Sequence, residues 1–306
     1  MIVRLTLAAL FVVPAAMAFP WQSTADRWLL GTAIAVVVIL FAWWRGLFVT
    51  TIVARRIALL TRRGGTDDSN EPAGYATVAL RVTPREGDDL PLTWVTGYLD
   101  RYGISFDKVR VTSRDLRGER TTWIGLTLGA ADNVAALSAR SPHLPLQETA
   151  SVTARRMADH LREIGWEATL DDEAAAPERD GWKETWRGVT DGQSYLAAYR
   201  IAVNEQLAEN LAAVWSCGAD EVWTAVELTG TRTHPEAAAA CAVRTAERPG
   251  AGAPVSGLTP ERGQHGSALT AMGPRSNRRL PAQPAPIPQR LLTAVRWRAG
   301  SVLSRT

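Results

Sequence analysis

The sequence predicts an α+β or α/β body, with a mixed sheet and helices packed on it, preceded by an N-terminal two-helix transmembrane hairpin. Three observations carry this reading. Two apolar segments without charge precede residue 45. Apolar residues alternate with period two in Thr77–Thr83, Lys108–Ser113 and Thr121–Leu128, the spacing that puts every second side chain on one face of a strand. They recur at i, i+3 and i+4 in Gln147–Ile164 and Glu205–Cys217, the stripe of a core-facing helix.

The hairpin comes first, over residues 1–45. Its second segment, residues 28–44 (WLLGTAIAVVVILFAWW), is at the short limit of the ~17–25 residues that cross a bilayer, and tryptophan at both ends suits the interface. The first, residues 5–19 (LTLAALFVVPAAMAF), is shorter and contains Pro14, as a tilted or kinked span would. It also reads as a cleaved signal peptide, with Arg4 as charged start and Ala16-Met17-Ala18 as a small-x-small cleavage site. Orientation is the same either way. Arg45, Arg55, Arg56, Arg62 and Arg63 follow the second segment, whereas the loop before it offers only Arg27 beside Asp26, so the body is expected in the cytosol. Gly31 and Ala35 lie four residues apart on one helix face, where small side chains let a partner helix approach closely. An alanine-rich composition accounts for the same small residues.

Charge is segregated along the chain. Residues 1–63 hold seven Arg against Asp26 alone, and residues 273–306 hold seven Arg and no acid. With the whole chain at +3, the middle, Gly64–Met272, carries −10. An acidic body argues against nucleic acid as a partner, since duplex binding neutralises phosphates with Lys and Arg. It fits a body held at an anionic lipid bilayer by basic ends. Cys217 and Cys241 are far apart and expected as small core residues.

After the hairpin, Val49, Val53, Ile57 and Leu60 form one helical stripe and Arg55/Arg62 and Arg56/Arg63 recur at seven residues, which predicts a basic juxtamembrane helix over 46–63. Residues 64–74 (GGTDDSNEPAG) read as a linker and 75–272 as the body. Within the body, Leu90–Tyr102 is expected as one helix ended by Gly103. Arg117-Gly118 sits at a hairpin turn, Asp132–Ala139 is a short helix, and Arg155 and Asp159 pair on the outer face of the Gln147–Ile164 helix. Trp166–Leu170, Lys183–Val189, Tyr195–Val203 and Glu221–Leu228 read as strands, with Asn204 capping the helix between the last two. Alanine-rich Pro235–Glu247 is expected as helix. Residues 273–306, basic and rich in proline, are expected as a disordered tail.

Motifs for chemistry are weak. No stretch matches the phosphate loop of glycine, four residues, then Gly-Lys-Ser/Thr. His143, His160, His234 and His265 lack the i, i+4 pairing of a helical zinc site, so no catalytic, cofactor-binding or metal residue is assigned. Asp171-Asp172-Glu173 could hold a divalent ion in a transferase acting on a nucleotide-activated donor, though such a loop is more often solvated. Trp182 and Trp186 would share one face of a strand, as a packing pair or an exposed patch.

Several segments resemble a known family: Pro20-Trp21-Gln22 before Arg27-Trp28, Ala42-Trp43-Trp44, Gly97–Ile104 (GYLDRYGI), Ala158–Glu163 (ADHLRE), Lys183–Val189 (KETWRGV), Ala242–Thr245 (AVRT) and Leu258–Gly263 (LTPERG). In order and spacing the chain is similar to EccE, a membrane component of the mycobacterial type VII (ESX) secretion system, and within it to the paralogue linked to siderophore-dependent iron acquisition. The arginine tail is a departure. The resemblance implies a core-complex subunit with a two-helix anchor and a cytosolic domain, assembling with EccB, EccC and EccD, where the EccC ATPase supplies the energy. It offers no catalytic residues to carry over. The favoured expectation is a non-catalytic structural subunit, not an enzyme; the membrane-anchored transferase is the alternative.

Overall fold

The computed structural model describes residues 2–20, 23–41, 43–44, 47–61, 74–84, 89–141, 145–177 and 181–298, and its contacts group the chain into two units, 1–63 and 64–306. In the first unit α1 (Ile2–Met17) and α2 (Thr24–Phe41) pack on each other. A short antiparallel pair follows, β1 (Trp43–Trp44) with β2 (Leu47–Phe48), and then α3 (Val49–Thr61). α2 starts ahead of the predicted segment because Ser23 and Asp26 cap it reciprocally. Asp26 N–H donates to Ser23 Oγ at 3.1 Å and Ser23 N–H to Asp26 Oδ2 at 3.2 Å. It ends at Phe41, so Trp43 and Trp44 form β1 and are not part of the helix. Pro14 does not stop α1.

Among the described residues no helix is long and apolar enough to cross a membrane. At ~1.5 Å per residue the 16 residues of α1 reach about 24 Å against a hydrocarbon core of about 30 Å, and the 18 of α2 include Asp26 in the first turn. The predicted hairpin is a helical hairpin in the structure; its crossing of a bilayer rests on the sequence.

The second unit opens with β3 (Tyr75–Pro84), β4 (Asp89–Leu90), α4 (Leu92–Thr96) and β5 (Asp100–Arg101). The helix expected over Leu90–Tyr102 is only five residues long. Tyr102 (φ 57) and Gly103 (φ 70) form a tight turn that pairs β5 with the start of β6 (Ile104–Leu116). Val95, Tyr98 and Leu99 are buried all the same. β6 and β7 (Glu119–Gly129) make the expected hairpin around Arg117-Gly118. α5 (Val134–Ser138) and α6 (Leu146–Glu163) follow, and α6 buries Ala154, Met157, Ala158 and Leu161. On its outer face Asp159 pairs with Arg162 at 2.6 Å, not with Arg155. After β8 (Trp166–Leu170), the strand expected over Lys183–Val189 is split into β9 (Lys183–Thr185) and β10 (Gly188–Thr190). Thr185 Oγ1 donates to Gly188 O at 2.6 Å and closes the turn between them. β11 (Tyr195–Ile201) and α7 (Leu207–Trp215) come next, with Asn204 Oδ1 accepting from Gln206 N–H at 3.0 Å. The chain then runs through β12 (Glu221–Gly230), β13 (Pro235–Thr245), β14 (Leu258–Pro260), α8 (His265–Met272), β15 (Ala285–Pro286), α9 (Gln289–Ala294) and β16 (Trp297–Arg298).

The main sheet runs β8-β3-β7-β6-β12-β13-β11-β10-β9, and every registered pair is antiparallel, not mixed as expected. Short turns join β6 to β7, β9 to β10 and β12 to β13, and only antiparallel neighbours can be joined that way. One face carries Val78, Leu80, Val111, Leu126, Val226 and Leu228 under α6 and α7. The other carries Trp123, Trp223, Ala225 and Leu196 under α8.

Pro235–Thr245 is a strand and not a helix. It lies between β12 and β11 with both faces covered, so Ala237, Ala239 and Cys241 pack one way and Ala238, Ala240 and Ala242 the other. Alanine on both faces erases the alternation, and the two hydrogen-bonded ladders outweigh its helix propensity.

The expected disordered tail is a packed part of the body as far as Arg298. Leu280 and Ala282 join the second face; Ile287, Leu292, Val295 and Trp297 join the first. β15 pairs with β13 and β16 with β4. Its arginines, unbalanced within the tail, meet acids of the body, Arg279 on Asp107 and Arg290 on Glu205. Proline and wide spacing hide the apolar residues from any periodicity test.

Candidate functional site

Of the residues singled out for topology, Arg45, Arg62 and Arg63 lie outside the described residues, while Arg55 is half-buried and Arg56 exposed on α3. Gly31 and Ala35 are both exposed on α2, and a β-carbon added at Gly31 meets nothing within 4 Å. Ala33, between them, is buried, as are Ala8 and Ala15 of α1. The small residues of α2 thus divide into a buried set and a free one.

Asp171, first of the three acids behind the transferase alternative, is engaged structurally. Its Oδ2 accepts from Trp123 Nε1 at 2.9 Å and from Arg81 Nε at 3.2 Å, and its Oδ1 from Glu173 N–H at 3.2 Å. Among the described residues no group of three His, Cys, Asp or Glu could hold a metal ion. Trp182 and Trp186 do not share a strand face. Trp182 precedes β9 with Arg244 4.9 Å from its ring centre, and Trp186 lies in the turn after it.

Sequence reasoning missed the largest concentration of buried charge. Glu227 of β12 accepts at Oε2 from Arg110 Nη2 at 2.6 Å and Nε at 3.2 Å, and Lys108 Nζ lies 3.6 Å away. All three side chains are within 2 % of full burial. A carboxylate shared by two buried cations needs further acceptors for their remaining protons. The segment after α8 supplies them: Arg110 Nη1 donates to Gly273 O at 2.9 Å and Ser276 O at 3.1 Å, and Lys108 Nζ and Arg110 Nη2 both donate to Arg278 O. Leu280 N–H returns to Glu227 Oε2 at 3.4 Å. Residues 273–280 are thereby strapped across β6, β7 and β12. Burial, and then Arg110, lower Lys108 from its ordinary 10.5 to about 7, against the opposing pull of Glu227. Lys108 and Arg110 alternate with Val109 on a strand already predicted, which was the available signal.

A second carboxylate ties the sheet six residues earlier on β12. Glu221 receives Arg114 Nε at 2.8 Å, Arg244 Nε at 2.6 Å and Trp223 Nε1 at 3.0 Å. Burial raises its pKa, but the hydrogen bond from Arg244 and the charges of Arg114 and Arg244 outweigh it, so the carboxyl titrates below its ordinary range. Trp223 stacks on Trp123 with centroids 5.9 Å apart, and the Arg114 guanidinium lies 5.4 Å from its ring centre. These groups fix strands and strap to one another. The free edge is guarded too: Arg162 Nη2 donates to Ala168 O of β8 at 2.6 Å, which covers part of the edge that could pair with another chain.

Comparison with known proteins agrees with a scaffold of this kind. Residues 117–201 match the family described as "Putative type VII ESX secretion system translocon, EccE". The chain is 49% identical over 296 residues, 97% of its length and 95% of the relative's, to the ESX-3 secretion system protein EccE3 of Mycolicibacterium smegmatis. It is 51% identical over 305 residues, 96% of its length and 91% of the relative's, to the ESX-3 secretion system protein EccE3 of Mycobacterium tuberculosis. With about half its residues shared over nearly its whole length, the chain belongs to the EccE family.

Proposed function

We propose that the chain is a non-catalytic structural subunit of an ESX-3 type VII secretion membrane complex, supporting export of proteins across the inner membrane. The carrying observation is 49–51% identity, over nearly the full length, to proteins named for that system. The buried charges support it, because Glu227, Glu221 and Asp171 are all committed to arginine, lysine or tryptophan partners that hold the fold. Asp171 in that role counts against the transferase reading. Service to a system of siderophore-mediated iron acquisition follows from the resemblance.

The first unit is the membrane anchor in this reading. Large apolar side chains are exposed along it, among them Leu10, Val13 and Met17 of α1 and Trp28 and Ile34 of α2, surface that water disfavours and lipid or partner helices would cover. On α3, Val53 and Ile57 are exposed with Arg56, a composition that supports a helix lying on an anionic leaflet, and the arginines after α2 support a cytosolic body. EccB, the EccC ATPase and EccD are the proposed partners. Purification of the tagged full chain from native membranes in mild detergent tests this. Recovery of all three with it is expected; recovery of the chain alone, or from the soluble fraction, contradicts it.

A further inference from the structure

We propose that the strap is a proton-sensitive latch: residues 273–280 lift from the sheet, ahead of the rest of the body, when Lys108 takes up a proton. The way the segment is held points to this. No side chain of residues 273–279 belongs to either apolar cluster of the core; Leu280 alone does. The ties are polar instead. Arg110 donates to Gly273 O, Ser276 O and Arg278 O, and Lys108 to Arg278 O, while Arg275 reaches Asp172 O and Arg279 the Asp107 carboxylate. A segment fixed mainly by hydrogen bonds, outside the apolar clusters, is the kind that opens locally at less cost than global unfolding.

Under the strap the charges do not balance. Lys108 Nζ lies 3.6 Å, Arg110 Nη2 2.6 Å and Arg279 Nη1 3.8 Å from the Glu227 carboxylate, and Arg279 Nη2 lies 2.5 Å from Asp107. β7, the other neighbour, sets Thr127 opposite Lys108 and adds no charge. With all five groups ionised the cluster holds three cations against two carboxylates, and Lys108, with none of its side chain exposed, cannot share the excess with water. Arginine stays protonated, and a proton added to either carboxylate would enlarge the excess, so Lys108 is the group that gives one up. Burial and then Arg110 bring its pKa down to about 7, with Arg279 acting in the same direction and Glu227 and Asp107 opposing. The neutral amine still donates to Arg278 O, so the closed strap keeps that tie. Once the strap lifts, water reaches the amine and the proton returns at its ordinary affinity. Closure therefore expels a proton and opening takes one up.

Hydrogen exchange of the full chain in mild detergent, read as protection factors, tests the latch at the strap's amides, above all Leu280, whose N–H donates to Glu227 Oε2 in the closed form. With Lys108 at about 7 when covered and 10.5 when hydrated, opening should be about tenfold more frequent at pH 6 than at pH 8 and level off below about pH 6. Amides of α6, away from the strap, should keep their protection over the same range. Lys108→Met should flatten the strap's dependence on pH. Should that variant fail to fold, Arg279→Gln takes its place: it removes a cation and releases Asp107, both of which favour the protonated amine, so opening should level off at a higher pH. Strap protection that is independent of pH, or that falls in step with α6, overturns the latch. So does an undiminished pH dependence in Lys108→Met, or an unmoved plateau in Arg279→Gln.

Discussion

The carbonyl oxygen of Pro274 occupies the place where a β-carbon at Gly125 would stand. Gly125 is paired with Arg110 across β6 and β7, so the strap crosses the sheet directly over the residue whose guanidinium holds it. Gly125→Ala should force the strap outward and destabilise the chain by roughly 1–3 kcal/mol, a loss of several degrees in melting temperature. Thermal denaturation of the purified variant measures it, and an unchanged melting point would contradict the close approach.

Truncation after Met272 should have a larger effect. It removes Leu280, Ile287, Leu292 and Trp297 from two buried layers and strips Arg110 and Lys108 of their carbonyl acceptors. Each buried donor left without its acceptor costs about 1–3 kcal/mol. The truncated chain is expected to fail to accumulate, or to melt far below the full one. A stable truncated protein with the full chain's melting point would show that the strap is dispensable.

Stability should also depend on pH through Lys108. Its folded pKa of about 7 lies below the ordinary 10.5. Between those values the unfolded chain binds the proton and the folded chain does not, so stability rises as pH increases from about 7 toward 10. Denaturant midpoints across that window should climb more steeply for the natural chain than for Lys108→Met. Parallel slopes would mean that Glu227, Arg110, Arg279 and Asp107 together leave Lys108 unperturbed.

How much of this was legible in the sequence varies with the kind of signal. The β6/β7 hairpin and α6 were read correctly because polar residues mark their second phase, so Val109 and Val111 stand out between Lys108, Arg110 and Thr112 although both faces of the hairpin are covered, and Met157 and Leu161 stand out against the solvated face of α6. β13 was not, since alanine on two covered faces leaves no polar phase to reveal the period. The strap was hidden for a different reason. Its anchors are backbone carbonyls that accept from Arg110 and Lys108, more than 160 residues earlier, and no local pattern announces such partners. The helix expected at Leu90–Tyr102 was overextended because Tyr102 takes a positive φ more typical of asparagine or glycine.

On α2, replacing Gly31 and Ala35 together by Leu fills the exposed small-residue face and leaves buried Ala33 alone. The chain should remain in the membrane fraction while its co-purification with other membrane components weakens. Undiminished co-purification would assign those small residues to composition and not to packing.

The central claim, that the chain works by holding an assembly together, is tested most directly by deleting it and measuring the ESX-3 membrane complex on native gels alongside secretion. Loss of the intact complex together with loss of secretion is the predicted result. A complex of unchanged size and amount that no longer secretes would contradict the account, because the missing contribution would then be an activity and not a structure.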